Sequence, residues 1–249
     1  MKSLIVTVAG TATRFNRDTD EDTLKCLYHI GSPQNSLLYQ ILDKARDVDQ
    51  YVIVGGFLFE KLQRFINENL GEFVSALKLV YNPEYRTLGS GYSLQLGIEA
   101  VAPAADEVIF VEGDLFFNAA DFHRIKECAK NILTVNREPI TAQKAVVVYE
   151  TAEGRLQYLY DTAHKLLEIG EPFRAIYNSG QIWKFTDVAA LRRKMQALTP
   201  EQIAGTNLEI IQSYFGSLDR SEIEVLPLET WFNCNTVEDY KKVHSILAK

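Results

Sequence analysis

The side chains able to do chemistry in this chain are two carboxylates, a lysine and an arginine, each placed at or just beyond a short apolar run. Asp114 and Glu112 close the run Glu107-Val-Ile-Phe-Val111, with Gly113 between them. An aspartate just beyond a buried strand can present its carboxylate to a hard cation such as Mg²⁺. Arg14 ends the turn Gly10-Thr-Ala-Thr-Arg14 that follows Ser3-Leu-Ile-Val-Thr-Val-Ala9, and Lys25 stands beside two leucines in Thr23-Leu-Lys-Cys-Leu27. A turn of small and hydroxyl-bearing residues lets backbone N–H groups approach an anion closely. In phosphoryl or nucleotidyl transfer the protein mostly positions reactants and offsets charge, so a lysine, an arginine and a metal-holding aspartate suffice. Each group also has a plainer reading, as a solvated surface cation or a loop-capping carboxylate. Other chemistries find less support. The four histidines (His29, His123, His164, His244) show no paired spacing, and there is neither a Gly-x-Ser-x-Gly elbow nor a Walker lysine loop. Gly10-Thr-Ala12 lacks the later glycines of a dinucleotide fingerprint.

These groups need strands and helices to hold them. Ser3–Ala9, Tyr51–Gly56, Ala76–Tyr81 and Glu107–Val111 read as buried strands. Between them, Leu37/Leu38/Ile41/Leu42/Ala45 (capped by Asn35 or Ser36), Leu58/Leu62/Phe65/Ile66 and Leu94/Ile98/Val101 mark amphipathic helices. Asn118 is expected to cap a further helix facing inward through Phe122, Ile125 and Ala129, and Leu27–Ile30 reads as a short strand. Tyr85–Tyr92 reads as a polar loop carrying Gly89-Ser90-Gly91. This alternation predicts an α/β fold with a doubly wound, mostly parallel sheet, whose ligands sit beyond the carboxyl ends of the strands. From about residue 140 the pattern becomes mixed, with strands expected over Lys144–Tyr149, Arg155–Tyr160, Lys165–Ile169, Ala175–Phe185, Glu222–Leu228 and Trp231–Cys234. Val188/Leu191/Met195/Leu198 and Leu208/Ile211/Tyr214/Phe215 supply helical faces. Thr199-Pro-Glu-Gln202 and Thr236-Val-Glu-Asp239 are capping boxes. One domain over 1–249 is the simplest organisation, with a nucleotide-type half (1–135) and a mixed-strand half (136–249) appended to it.

The bulk numbers restrict partners. The chain has 249 residues, 47% hydrophobic and 24% charged, which is globular. No apolar run approaches the roughly eighteen residues of a spanning helix, and Met1-Lys2 leads straight into a strand rather than a signal peptide. Net charge of −7 argues against a nucleic-acid binder. Cys26, Cys128 and Cys234 form no paired framework, which points to a reducing, cytoplasmic setting.

Taken together, Ala9-Gly10-Thr11-Ala12-Thr13-Arg14-Phe15, then Leu24-Lys25-Cys26-Leu27, then Ser36-Leu37-Leu38 resemble the signature of the nucleotidyltransferases that make nucleotide-activated sugars and alcohols. Val111-Glu-Gly-Asp114 is similar to that family's metal aspartate. Gly89-Ser90-Gly91-Tyr92-Ser93-Leu94 is similar to its base-contacting segment, and Asn178-Ser179-Gly180-Gln-Ile-Trp183 to its substrate-side strand. Phe232-Asn-Cys-Asn235-Thr236 is similar to its closing metal-ligand segment. Asn82-Pro83-Glu-Tyr85 resembles the small phosphocholine and phosphonate cytidylyltransferases in particular. The resemblance implies Mg²⁺ on Asp114 and Asn235, catalysis by Lys25, Arg14 and Asp114, and an NTP over Ala9–Arg14, Gly89, Ser90 and Ser93, with CTP favoured. It further implies a small phosphorylated or phosphonylated acceptor near Asn178, Ser179, Gly180 and Arg174, and leaves a homodimer open.

Three positions depart from the family pattern. Ala12 replaces a second glycine, so the loop is expected to avoid positive φ there. Leu24 replaces a proline. Asn235 replaces an aspartate, removing one negative charge, which Glu112 or an acid of the Asp18–Asp22 stretch could restore. Two alternatives stay open: a catalytically impaired nucleotide-binding module, and a metal-dependent glycosyltransferase of related fold.

Overall fold

The computed structural model describes residues 1–159 and 165–248. In chain order the elements are β1 (Lys2–Val8), α1 (Leu37–Lys44), β2 (Gln50–Gly55), α2 (Phe59–Asn69), β3 (Leu77–Tyr81), α3 (Ser90–Ala100), β4 (Glu107–Glu112), β5 (Leu115–Phe117) and α4 (Ala119–Glu127). They continue with β6 (Asn131–Asn136), β7 (Val147–Thr151), β8 (Leu156–Leu159), β9 (Phe173–Phe185), α5 (Val188–Gln196), α6 (Pro200–Ala204), α7 (Leu208–Phe215), β10 (Ile223–Pro227), β11 (Trp231–Asn233) and α8 (Val237–Leu247).

The main sheet runs β10-β6-β9-β4-β1-β2-β3, with β7 and β8 added beside β9. β1 pairs parallel with β2 and β4, β2 with β3, and β10 with β6, whereas β9 lies antiparallel between β4 and β6. Both faces are covered, and the alternation along each strand shows it. Leu4, Val6, Ile109 and Val111 pack with α1, α2 and α4 through Ile41, Leu62 and Phe122. Ile5, Val108 and Phe110 face the other way, against α3, α5 and α7 through Leu94, Leu191 and Ile211. The sheet is thus mixed, mostly parallel and doubly wound. A third cluster, Phe15, Leu37, Phe116, Cys234, Val237, Tyr240 and Val243, fastens α8 and the segment after β1 over the strand ends.

Local signals account for most boundaries. Ser36 accepts a hydrogen bond from Tyr39 N, Asn118 caps α4, and the Thr199 and Thr236 capping boxes form with both reciprocal bonds.

Several expectations are corrected. Leu27–Ile30 is not a strand: Leu27 N and Tyr28 N both bond back to Leu24 O, making a turn. Lys165–Ile169 carries no strand. The strand expected over Arg155–Tyr160 is β8, and Tyr160 and His164 lie outside the described residues. β6 was not anticipated, nor was β5, which pairs with β11. α3 begins at Ser90, inside the stretch read as loop. Ala12 does adopt positive φ, +51°, which costs an alanine about 1–2 kcal/mol relative to the right-handed region. That conformation lets Ala12 O accept from Asn16 N at 2.9 Å and start the single helical turn Phe15–Asp18.

Candidate active site

β1 and β4 lie side by side in parallel, so the segments beyond their carboxyl ends meet. Gly113 makes that meeting tight. Its N–H donates to Thr7 O at 3.0 Å, and a Cβ there would collide with Val8 Cγ1. The chain therefore turns closely enough against β1 to bring Asp114 beside the loop after β1. Lys25 Nζ lies 2.5 Å from Asp114 Oδ2 and donates to Asn235 Oδ1 at 3.3 Å. Arg14 donates to the same Asn235 oxygen at 2.9 Å. β11 is tied in through Cys234 N, which donates to Asp114 O at 2.8 Å. Arg14, Lys25, Asp114 and Asn235, widely separated in sequence, form one cluster.

Asp114 Oδ1 is buried without a hydrogen-bond partner. A carboxylate oxygen removed from water and left unpaired is costly unless a cation or donor arrives. Beside it opens a cavity of about 290 Å³ lined by Ala9, Gly10, Lys25, Tyr85, Gly89, Ser90, Ser93, Glu112, Asp114 and Asn207, among others. Glu112 accepts from Gln181 Nε2 and Asn207 Nδ2. Burial, and next the nearby Asp114 charge, push its carboxyl up to about 7. Among the described residues no three His, Cys, Asp or Glu side chains gather as a metal cage. The hard oxygens able to contribute are Asp114 Oδ1 and Asn235 Oδ1, a set that suits a Mg²⁺ completed by water and substrate phosphate.

The turn after β1 presents Thr11, Thr13 and Arg14 at the surface, with Thr11 and Thr13 hydroxyls 3.0 Å apart. A second, more open cavity of about 530 Å³ adjoins them, lined also by Asn16, Arg17, Asp22, Phe57, Tyr85 and Arg86. Tyr85 borders both cavities. The Asp18–Asp22 acids are exposed. Their loop is pinned by Asn16 Oδ1, which accepts from Thr23 N, and by Lys61, which donates to Asp22 O.

The Gly89–Ser93 wall is built against a distant segment. Gly89 N donates to Ala204 O and Gly91 N to Gly205 O, while Ser90 Oγ accepts from Asn207 N. A Cβ on Gly89 would collide with the Gly205 carbonyl oxygen. Ser93 Oγ accepts from buried Asn82. Asn178, Ser179 and Gly180 are buried and committed to neighbours: Asn178 donates to Glu138 O, Ser179 O accepts from Asn136, and Gly180 O accepts from Trp231. The next residue, Gln181, is the one that reaches Glu112. Arg174 is exposed beside the turn at Gly154. Gly180 lies six positions further along β9, about 20 Å of extended chain, and Arg174 does not join the cluster.

Arg86, Gln181, Asn207 and Asn233 escaped sequence reasoning. Gln181 and Asn233 lie inside segments quoted above, Asn178–Trp183 and Phe232–Thr236, but the resemblance gives neither a role. Asn207 has no local signal, because its place depends on the contact between the 204–207 segment and α3.

With this geometry the chain can be set beside known proteins. It resembles the inositol-1-phosphate CTP transferase of T. maritima, with a TM-score of 0.69, 15% identity and coverage of 99% of this chain and 96% of that one. It also resembles the CTP:phosphocholine cytidylyltransferase of Streptococcus pneumoniae, with a TM-score of 0.59, 17% identity and coverage of 99% of both chains. The fold is that of these nucleotidyltransferases, as the residue signature implied. By sequence, the chain belongs to the family described as a domain of unknown function, DUF6564, which matches residues 21–247. That match begins after the Gly10–Arg14 turn. Comparison with curated protein sequences gave no match.

Proposed function

We propose that the chain is a Mg²⁺-dependent nucleotidyltransferase. It would move a nucleotidyl group from an NTP, CTP by preference, to a small phosphorylated or phosphonylated acceptor. The observation that carries this reading is the cluster itself: Lys25 and Arg14 meet Asp114 and Asn235, with Asp114 Oδ1 unpaired beside the cavity. Names of the two neighbours that include CTP support the choice of base.

In this reading the base and ribose occupy the cavity against Ala9, Gly10, Gly89, Ser90 and Ser93. The β- and γ-phosphates lie over Gly10–Arg14, with Arg17 and Arg86 along the same open side. Lys25 leaves Asp114 for the α-phosphate, where its charge offsets the negative charge of the transition state. An acceptor oxygen attacks the α-phosphorus in line, the bond to the bridging β-phosphate oxygen breaks, and pyrophosphate leaves. Asp114 and Asn235 would hold Mg²⁺, which supplies charge neutralisation between carboxylate and phosphate. Acceptor selection falls to the β7–β9 half, near Asn178–Gln181; Arg174 would have to act on a part of the acceptor remote from the cluster.

The test is pyrophosphate release from CTP, UTP, ATP and GTP against a panel of phosphorylated sugars, amino alcohols and phosphonates. Turnover with at least one pair, fastest with CTP, is expected. A folded sample inactive with every pair contradicts the proposal. One observation favours a second reading, a nucleotide-binding module without catalysis: an amide, Asn235, stands where a second carboxylate would complete the charge. It predicts saturable Mg²⁺·NTP binding with no pyrophosphate released.

A further inference from the structure

A line of hydrogen bonds running in one direction connects Glu112 to the cation cluster. Asn207 Nδ2 donates to Glu112 Oε1 at 2.8 Å and Gln181 Nε2 donates to Glu112 Oε2 at 2.9 Å. Asn233 Nδ2 donates to Gln181 Oε1 at 3.2 Å, and Asn235 Nδ2 donates to Asn233 Oδ1 at 2.6 Å. At the far end Asn235 Oδ1 accepts from Arg14 at 2.9 Å and Lys25 at 3.3 Å.

A primary amide has a donating end and an accepting end. Turning one amide in this line sets two NH₂ groups or two oxygens face to face, which is costly away from water. Its direction is fixed from both termini. Glu112 as a carboxylate only accepts, and Arg14 and Lys25 only donate. Gln181 is held at φ +56°, a conformation uncommon outside glycine, and the two side-chain bonds it makes fall within this line.

We propose that Glu112, Gln181 and Asn233 form a positioning relay for Asn235. Through two intervening amides, the carboxylate at 112 decides that Asn235 turns its oxygen, not its NH₂, toward Arg14 and Lys25. The carboxylate at 112 and the amide at 235 are then a matched pair: exchanging their chemistries should reverse the line rather than destroy it. In Glu112→Gln alone, the new amide must oppose Gln181 NH₂ to NH₂, or the line reverses and Asn235 turns its NH₂ onto two cations. In Asn235→Asp alone, the new oxygen opposes Asn233 Oδ1, or the line reverses and Gln181 Oε1 meets the Glu112 carboxylate. In the double variant every bond re-forms in the opposite sense. The carboxylate at 235 accepts from Asn233, Asn233 accepts from Gln181, Gln181 accepts from the amide at 112, and that amide still accepts from Asn207. The use made of the Asn235 oxygen rests on the proposed function; the relay itself does not.

The experiment is a thermal-unfolding cycle on the full chain without ligand, run at a pH well above 7 so that Glu112 is a carboxylate, using Glu112→Gln, Asn235→Asp and the double variant. The double variant should unfold about 2–4 °C above the value obtained by adding the two single shifts. Asn233→Ala cuts the line, and in that background the same cycle should add to within about 1 °C. Gln181→Gly, which suits the positive φ, serves as the cut if Asn233→Ala does not fold. Simple additivity in the uncut protein overturns the relay. So does coupling that survives the cut, which would be charge repulsion through space. If a single variant fails to fold, the double must fold; its failure also overturns the proposal. Mn²⁺·CTP binding, read by the Mn²⁺ electron paramagnetic resonance signal, is measured on the same variants and should recover in the double. Absence of binding in every variant, wild type included, counts against the proposed function, while the unfolding cycle still decides the relay.

Discussion

Two lysine–carboxylate pairs stand at opposite ends of the same strand, and they are built differently. At the start of β4, Glu107 faces Lys184, which is 1% exposed. The Lys184 ammonium lies 3.1 Å from Glu107 Oε2 and also donates to Lys126 O and Cys128 O, while Lys2 approaches the same Glu107 oxygen at 3.6 Å. Just past the other end, Asp114 faces Lys25 across 2.5 Å, but its second oxygen is unpaired and a cavity opens beside it. The first pair is closed by backbone carbonyls and a second cation. The second has been left incomplete on its ligand side. A buried ion pair by itself says little about function, and Glu107 Oε2 is likewise buried without a hydrogen bond; what separates the site from the strut is that two ammoniums face the Glu107 oxygen, whereas one faces Asp114 and a cavity opens beside it.

Removing one lysine from each pair should separate the roles. Lys25→Ala should lower turnover by about 10²–10³-fold, the scale of losing one transition-state charge donor, and should cost less stability than Lys184→Met, because the adjoining cavity lets water reach the Asp114 carboxylate. Steady-state kinetics and a thermal melt on one preparation check this. Lys184→Met should do the opposite. It strands two carbonyls and a carboxylate, so stability should fall by about 1–3 kcal/mol in urea unfolding while the folded fraction keeps its turnover. An equal effect of both changes on activity would erase the distinction.

Gly89→Ala tests the cavity wall. The added methyl meets the Gly205 carbonyl, and the displaced 204–207 segment carries Asn207. A loss of about 1–3 kcal/mol in urea unfolding should come with weaker nucleotide binding in equilibrium dialysis.

Lys44 gives a third type of lysine, covered by the faces of Phe116 and Phe117 and bonded to Gln40. Burial lowers its ammonium to about 8, from the usual 10.5. Between those pH values the unfolded chain holds a proton the folded chain has released, so wild-type stability should rise with pH through that window. Lys44→Met should be more stable than wild type below pH 8. The net gain should be about 1 kcal/mol, since cation–π contacts are given up, and it should fade toward pH 10.5. Urea midpoints at four pH values read this.

Much of the fold was legible because β1, β2 and β4 are buried on both faces and so write continuous apolar runs. β6 was not, for a definite reason. Its apolar run Ile132-Leu-Thr-Val135 is only four residues long and is flanked by Asn131 and Asn136, whose polar groups turn out to be buried and bonded rather than solvated. Asn131 Oδ1 accepts from Thr186 and Tyr214, Thr134 exchanges bonds with Ile182, and Asn136 donates to Ser179 O. Leu27–Ile30 erred the other way: its apolar side chains serve a turn packed on Phe15 and Tyr240. Arg14, Lys25, Asp114 and Asn235 could be named from the signature, and the structure gathers them. The amide line could not be foreseen, since residues 112, 181, 233 and 235 meet only where β4, β9 and β11 converge, and Asn207 joins them through the 204–207 segment packed on the start of α3.

In the proposed function the open pair, Lys25 and Asp114, receives a nucleoside triphosphate with its metal. A crystal structure grown with CTP and Mg²⁺ tests it most directly. The account predicts the phosphates over Gly10–Arg14, Lys25 moved from Asp114 to the α-phosphate, and a cation between Asp114 Oδ1, Asn235 Oδ1 and phosphate oxygen. Nucleotide bound elsewhere, with the Lys25–Asp114 pair undisturbed, would contradict it.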